Sequence, residues 1–255
     1  MRLESAGKTH VGMKRDHNED AFLMLPAHGV FCVADGMGGH SSGEVASELA
    51  LSEIAEFYER TSKDKEATWP YKENRKLNYE ENRLATAVKL ANLRVFERGT
   101  SDPKCRGMGT TIVASCFTPA QLIVAHAGDS RVYHFVLAEK RLVQVTEDHS
   151  LLNDYIKAKK LSPEEIEHFP HKNVIVRALG IKETVEVDIS RPQLAPGDIL
   201  LLCCDGLSGM VTDPAMAEIL SKQPDLEKAA GNLIDAANAG GGVDNITVIL
   251  VRWNP

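Results

Sequence analysis

No apolar run in this chain approaches the ~20 residues that span a bilayer, so no segment reads as a transmembrane helix. The opening residues, MRLESAGKTHVGMKRDHNED, lack the apolar stretch of a secretory signal. A cytoplasmic protein with no membrane partner is the expectation. No CxxC pair occurs and the five cysteines are an odd count, so neither a disulfide framework nor a zinc site is signalled. Cys32, Cys116, Cys203 and Cys204 lie in hydrophobic runs and read as small core residues. There is no basic surplus: 29 Lys and Arg against 36 Asp and Glu give a net charge of −7. That balance argues against a nucleic-acid partner. Internal repeats, low-complexity tracts and proline-rich linkers are also missing.

What remains is an ordinary globular composition, 43% hydrophobic and 25% charged over 255 residues, enough to bury a core without disulfides. We read residues 1–255 as a single domain. Residues 20–35 read as two short strands around a turn at Pro26–Gly29. Ser41 or Ser42 caps a helix running to about Arg60, with Val45, Leu49, Ile54 and Phe57 at helical spacing. Residues 62–80 form a polar connection. A second helix places Leu84, Val88, Ala91 and Val95 on one face. TTIVASCF, LIVAHA, RVYHFVL and LVQVT then read as antiparallel strands. Residues 149–182 look like small helices and loops inserted between strands, a flap, with Ser162-Pro163-Glu164-Glu165 as a capping box. Strands resume at TVEVDIS and DILLLCC. Asp213-Pro214 starts a short helix, Asp225 caps a longer one, and ITVILVRW closes the chain. Strands outnumber crossover helices. The fold class is therefore α+β, a central antiparallel β-sandwich flanked by helices on both faces.

Several hydrophobic runs meet a carboxylate at one end. GVFCVADG ends at Asp35, LIVAHAGDS at Asp129 and DILLLCCDG at Asp205. ITVILV begins after Asp244-Asn245 and AFLML after Glu19-Asp20. Each motif alone has a bland reading as a turn, a charged loop or a surface pair. Together they place acids on one rim of a sheet protein, where they would repel unless something positive lay between them. Hard divalent cations prefer such oxygen ligands. The Gly36 carbonyl is a further oxygen donor, and Arg15 offers a planar fork suited to phosphate. His40, in a glycine loop, is left out of the site.

RDHNEDAF, VADGMGGHSSGEVAS, MGTTIVA, AHAGDSRVY, TEDHS, VIVRALG, LLLCCDGL and VDNITVILV resemble, in this order, the metal-dependent protein phosphatases of the PPM (PP2C) family in their bacterial form. The resemblance covers about Gly12 to Arg252. It implies a two-metal centre of Mn²⁺ or Mg²⁺ held by Asp20, Asp35, Gly36, Asp205 and Asp244, with Asp35 bridging and Glu19 acting through water. Asp129, with Asp205, would help to hold a third ion. Arg15 would bind phosphate, so that Arg15, Asp35 and Asp205 carry the catalysis. Where many eukaryotic relatives have a histidine after the DG pair, this chain has Met37, which cannot donate a proton.

The implied reaction is hydrolysis of phosphoserine or phosphothreonine on proteins, the products of a Ser/Thr kinase, by a metal-activated water. Glu19, Asp20, Asp35, Asp205 and Asp244 carry about −5 against a phosphate near ~−2, so the site repels its substrate until cations neutralise it. No CxxxxxR occurs, which leaves no cysteine nucleophile of the usual kind. The alternatives are a catalytically silent phosphoprotein-binding regulator, or a phosphatase of a small-molecule ester.

Overall fold

The structure, a computed structural model, describes residues 2–38, 42–64, 68–159, 161, 163–167, 169 and 174–254. The strands are β1 (Arg2–His10), β2 (Asp20–Leu25), β3 (Val30–Met37), β4 (Gly109–Thr110), β5 (Ile112–Phe117), β6 (Leu122–Ala127), β7 (Arg131–Val136), β8 (Arg141–Gln144), β9 (Asp188–Ser190), β10 (Ile199–Cys203) and β11 (Ile246–Asn254). They form two antiparallel sheets. One runs β1-β11-β10-β7-β8; the other runs β2-β3-β5-β6-β9, with β4 also paired to β3. The helices are α1 (Ser42–Lys63), α2 (Tyr79–Ser101), α3 (Leu151–Lys159), α4 (Pro163–Glu167), α5 (Asp205–Ser208), α6 (Asp213–Lys222) and α7 (Leu226–Ala239).

The layering follows from the two-residue period of a strand. In β3, Val30, Cys32 and Ala34 pack outward beneath α1 and α2, while Phe31 and Val33 point between the sheets. In β10, Ile199, Leu201 and Cys203 pack beneath α6 and α7, and Leu200 and Leu202 face inward. Both faces of each central strand are covered, so these strands read as unbroken apolar runs rather than as alternating ones. The expected sandwich with helices on both faces is what is found.

Some local expectations need correction. β1 was not foreseen, because RLESAGKTH alternates around small and polar residues; it is held by nine-residue register with β11. TVEVDIS yields only a three-residue strand at Asp188–Ser190. TTIVASCF divides at Thr111, whose N–H and hydroxyl both bond to the backbone of Asp35. Ile54 and Phe57 are buried as expected, whereas Val45 is exposed and the buried face of α1 is completed by Ala46, Ala50 and Tyr58. Leu84, Val88, Ala91 and Val95 do form the buried face of α2. In the flap, a bridge between Ser150 and Ile175 closes the base over α3 and α4. The readings made for Ser41, His40 and Ser162 fall outside the described residues.

Candidate metal centre

The inward-facing parity of four strands converges at one rim of the sandwich. Phe31 and Val33 lead to Asp35; Leu200 and Leu202 lead to Cys204; Ile249 and Val251 lead back to Thr247; Phe22 and Met24 lead back to Asp20. Asp20 and Asp35 are register partners across β2 and β3. One carboxylate oxygen from each, with the Cys204 sulfur, lies within 4.8 Å of the others. Thr247 Oγ1 donates to Asp20 Oδ2 at 2.7 Å. The other Asp20 oxygen is buried without a partner, as is Asp129 Oδ1.

The electrostatics show the same convergence. Burial pushes the Asp35 carboxyl well above the ordinary range, and the negative charges of Asp20, Asp205, Asp129 and Asp244 push it further. Burial and then the neighbouring Asp205 and Asp244 carry Asp20 up to about 7. Burial and Asp205 carry Asp129 up to about 7. Asp205 is raised by burial and Asp244, while a hydrogen bond with Asp35 draws it back. Two orphaned buried oxygens in a nest of mutually repelling carboxylates are the donor set of a hard divalent ion, which prefers oxygen and supplies the missing positive charge. The residues present therefore fit Mn²⁺ or Mg²⁺.

The surrounding residues explain how the acids are held. Glu19 Oε1 accepts from Gly43 N–H at the start of α1, at 3.2 Å, where the helix dipole favours negative charge. Gly43 lacks room for a side chain, since a Cβ there would meet the Gly36 backbone carbonyl carbon at 2.8 Å. Gly36 is equally constrained: its Cβ would meet the Gly43 carbonyl oxygen at 2.2 Å. Arg15 Nη2 donates to Asp244 Oδ2 at 2.7 Å, on a half-exposed side chain at the mouth.

All of the site residues named from sequence thus lie around one rim. Sequence reasoning missed the residues that support them. Asn245 accepts from Glu19 N–H and donates to the carbonyls of Val11 and His17, so it staples the Arg15 loop to β11. Cys204 is buried as expected, yet its thiol borders Asp20 and Asp35 rather than inert core. Strand parity would have revealed both Cys204 and Thr247.

A second group of potential ligand atoms is tied together by hydrogen bonds and an ion pair. His126, His149 and Asp188 bring ligand atoms within 4.8 Å, and the two rings stack at 4.6 Å. Gly128 N–H donates to His149 Nδ1, and Nε2 of that ring stands between Arg177 Nη1 at 3.0 Å and Asp188 Oδ2 at 3.3 Å. Arg177 already neutralises Asp188 at 2.7 Å. A cavity of about 720 Å³ is lined by Phe117–Leu122, Arg191–Leu194 and Trp253. It lies at the opposite strand ends from the carboxylates.

A β-sandwich with helices outside, a carboxylate nest at one rim and Arg15 at its mouth is the arrangement expected above for a metal-dependent phosphatase. Comparison places the chain within that class: residues 6–235 match the family model for protein phosphatase 2C, and the protein belongs to that family. It is 37% identical over 254 residues to the serine/threonine phosphatase stp of Listeria welshimeri, covering 97% of this chain and 94% of the relative. The solved serine/threonine phosphatase PstP/Ppp of Mycobacterium tuberculosis superposes with a TM-score of 0.84 at 32% identity, covering 99% of both chains. A PstP catalytic domain solved with two manganese ions superposes at 0.79 with 31% identity, again over 99% of each.

Proposed function

We propose that this chain hydrolyses phosphoserine and phosphothreonine esters on proteins, and that residues 1–255 act as one catalytic domain with a flap at about 149–182. The observation that carries this reading is the nest of acids at one rim, in which burial and neighbouring negative charges, that of Asp244 included, raise the carboxyls of Asp20, Asp35, Asp129 and Asp205. Asp20, Asp35, Asp205 and Asp244, with the Gly36 carbonyl, would hold two ions, and Asp129 with Asp205 a third. Glu19 would act through water from its seat on α1. Bound divalent ions supply Lewis acidity and the positive charge that a phosphate dianion needs.

The chain's own residues do the rest. Thr247 and Asn245 fix the orientation of Asp20 and of the Glu19 backbone. Arg15 presents its fork at the mouth, where it can take two phosphoryl oxygens and orient the ester. Met37, half-buried at the end of β3, offers no proton to the leaving alkoxide. The net reaction splits the P–O ester bond with water, giving a free hydroxyl side chain and inorganic phosphate. Its substrates would be the products of a Ser/Thr kinase, and a cytoplasmic location belongs to this reading; the net charge of −7 speaks against nucleic acid as a partner. Among the described residues no helix is long and apolar enough to cross a membrane.

The test is phosphate release from phosphoserine and phosphothreonine peptides. It should need Mn²⁺ or Mg²⁺, stop on addition of EDTA and resume when Mn²⁺ is restored. Full turnover in chelator, or turnover confined to small metabolite esters, would sink the proposal.

A further inference from the structure

A sulfur stands among the oxygen donors of the metal centre, and the reaction proposed above gives it no role. Cys204 Sγ, a carboxylate oxygen of Asp20 and a carboxylate oxygen of Asp35 all lie within 4.8 Å of one another. The Cys204 side chain is fully buried and hydrogen-bonds the Asp20 carboxylate. The carboxylates whose charge bears on it are Asp20, Asp35 and Asp205. Cys203, next along the chain, faces the other way, beneath α6 and α7.

These donors are held as ligands are held. Thr247 orients two of them: its N–H donates to Cys204 Sγ at 3.1 Å and its hydroxyl to Asp20 Oδ2 at 2.7 Å. Outer hydrogen bonds of this kind fix ligating atoms and raise affinity. The other Asp20 oxygen, on a side chain only 8% exposed, has no partner. The thiol itself donates to the Asn245 carbonyl at 3.3 Å, a bond that an ion on the sulfur would replace. A tetrahedral Zn²⁺ with one sulfur and two carboxylate ligands has those atoms roughly 3.5 Å apart, so the three donors close on it through shifts of about 1 Å. Mg²⁺ and Mn²⁺ prefer oxygen, whereas thiolate selects ions of the zinc type.

We propose that Cys204, Asp20 and Asp35 form a site for a thiophilic divalent cation of the Zn²⁺ type, which competes with the Mn²⁺ or Mg²⁺ of the working centre. The proposal rests on the metal-centre reading above and adds which ions contend for it. Competition follows because Asp20 and Asp35 belong to both ligand sets. On binding, the S–H bond breaks, an S–metal bond forms and the proton passes to solvent; no electron is transferred.

The experiment titrates the Mn²⁺-loaded protein with Cd²⁺, whose bond to a thiolate absorbs in the ultraviolet. In the wild type that band should grow as Mn²⁺ is released, read by the spin resonance of free Mn²⁺. A general preference over Mn²⁺ decides nothing, since later divalent metals outbind it at most sites; the sulfur's share is what Cys204→Ser removes. That variant should lose the band, and its Cd²⁺ affinity relative to Mn²⁺, read by calorimetric competition, should fall more than about tenfold. Cys203→Ala should keep both. Absence of the band in the wild type overturns the proposal, as does a band that grows without Mn²⁺ release or survives in Cys204→Ser. Should a thermal melt show that Cys204→Ser is unfolded, the wild-type band and Mn²⁺ release decide the matter. Failure of the wild type to bind Mn²⁺ at all refutes the metal-centre reading instead, so the two failures are distinct.

Discussion

Replacing Asp20 by asparagine should inactivate the enzyme and stabilise its metal-stripped fold. Asp20 is buried, one oxygen accepts from Thr247, and the other has no partner. Asparagine keeps the first bond and turns an amide donor towards the neighbouring carboxylates. Asp20 sits at a pKa of about 7 instead of 3.8, through burial above all. Ionising it at pH 8 therefore costs the folded state about 4 kcal/mol, at ~1.4 kcal/mol per tenfold. Asp205 and Asp244 share part of the repulsion, so we expect a gain of about 2–4 kcal/mol. At about 2.1 cal/mol/K per residue, 255 residues convert this to a rise in Tm of about 4–8 °C. The sign of the pH dependence follows from the raised folded pKa. The wild-type Asp20 contribution is complete below 3.8 and is lost as pH rises through 7. The variant's advantage is thus largest at pH 8 and falls to about a third by pH 5. Melting curves in EDTA at both pH values are the assay, and saturating Mn²⁺ should reverse the ranking by binding the wild type more tightly. A variant less stable than wild type in EDTA at pH 8, or an advantage that does not change with pH, would refute the reasoning.

Asn245→Ala removes three hydrogen bonds that hold residues 11–19 to β11. A loss of about 2–4 kcal/mol in urea unfolding is expected, with a raised KM because the Arg15 loop is freed. Arg15→Ala should raise KM for phosphopeptides more than it lowers kcat, since the guanidinium stands at the exposed mouth; steady-state kinetics with an unchanged KM would contradict that role. Asp129→Asn should remove one Mn²⁺ binding step while leaving the others, read by calorimetric titration of the metal-stripped protein; an unaltered stoichiometry and affinity would remove Asp129 from the ligand set.

The gathering of acids was legible because Asp35 and Asp205 close apolar runs and Asp244 opens one, while the role of each as a metal ligand rested on the family resemblance. The layered sandwich was legible too, since Phe31-Cys32-Val33 and Leu200-Leu201-Leu202 can bury both faces only between two layers. β1 was not, because its stability comes from pairing with β11 and not from its own composition. Val45 misled the helix reading because several alanines, rather than the larger residues, line the true buried face of α1. Asn245, Cys204 and Thr247 were overlooked for a different reason. Their roles are contacts made across more than 40 residues of chain, and only the pairing of the strands reveals them.

The same parity shows why the centre depends on the sandwich as a whole. Asp20, Asp35 and Asp129 stand at strand ends of one sheet, while Asp205 and Asp244 flank β10 and β11 of the other. An ion shared among them joins the two sheets at the rim where their carboxylates would otherwise drive them apart. The arrangement tolerates no slip. Shifting β3 by one residue against β2 would turn Asp35 towards the helix face and put Ala34 in its place, and the same slip in β11 would carry Thr247 away from Asp20. The backbone bonds of Thr111 to Asp35 and of Gly36 N–H to the Glu19 carbonyl, at 2.8 and 3.1 Å, pin that register at the point where the error would matter most.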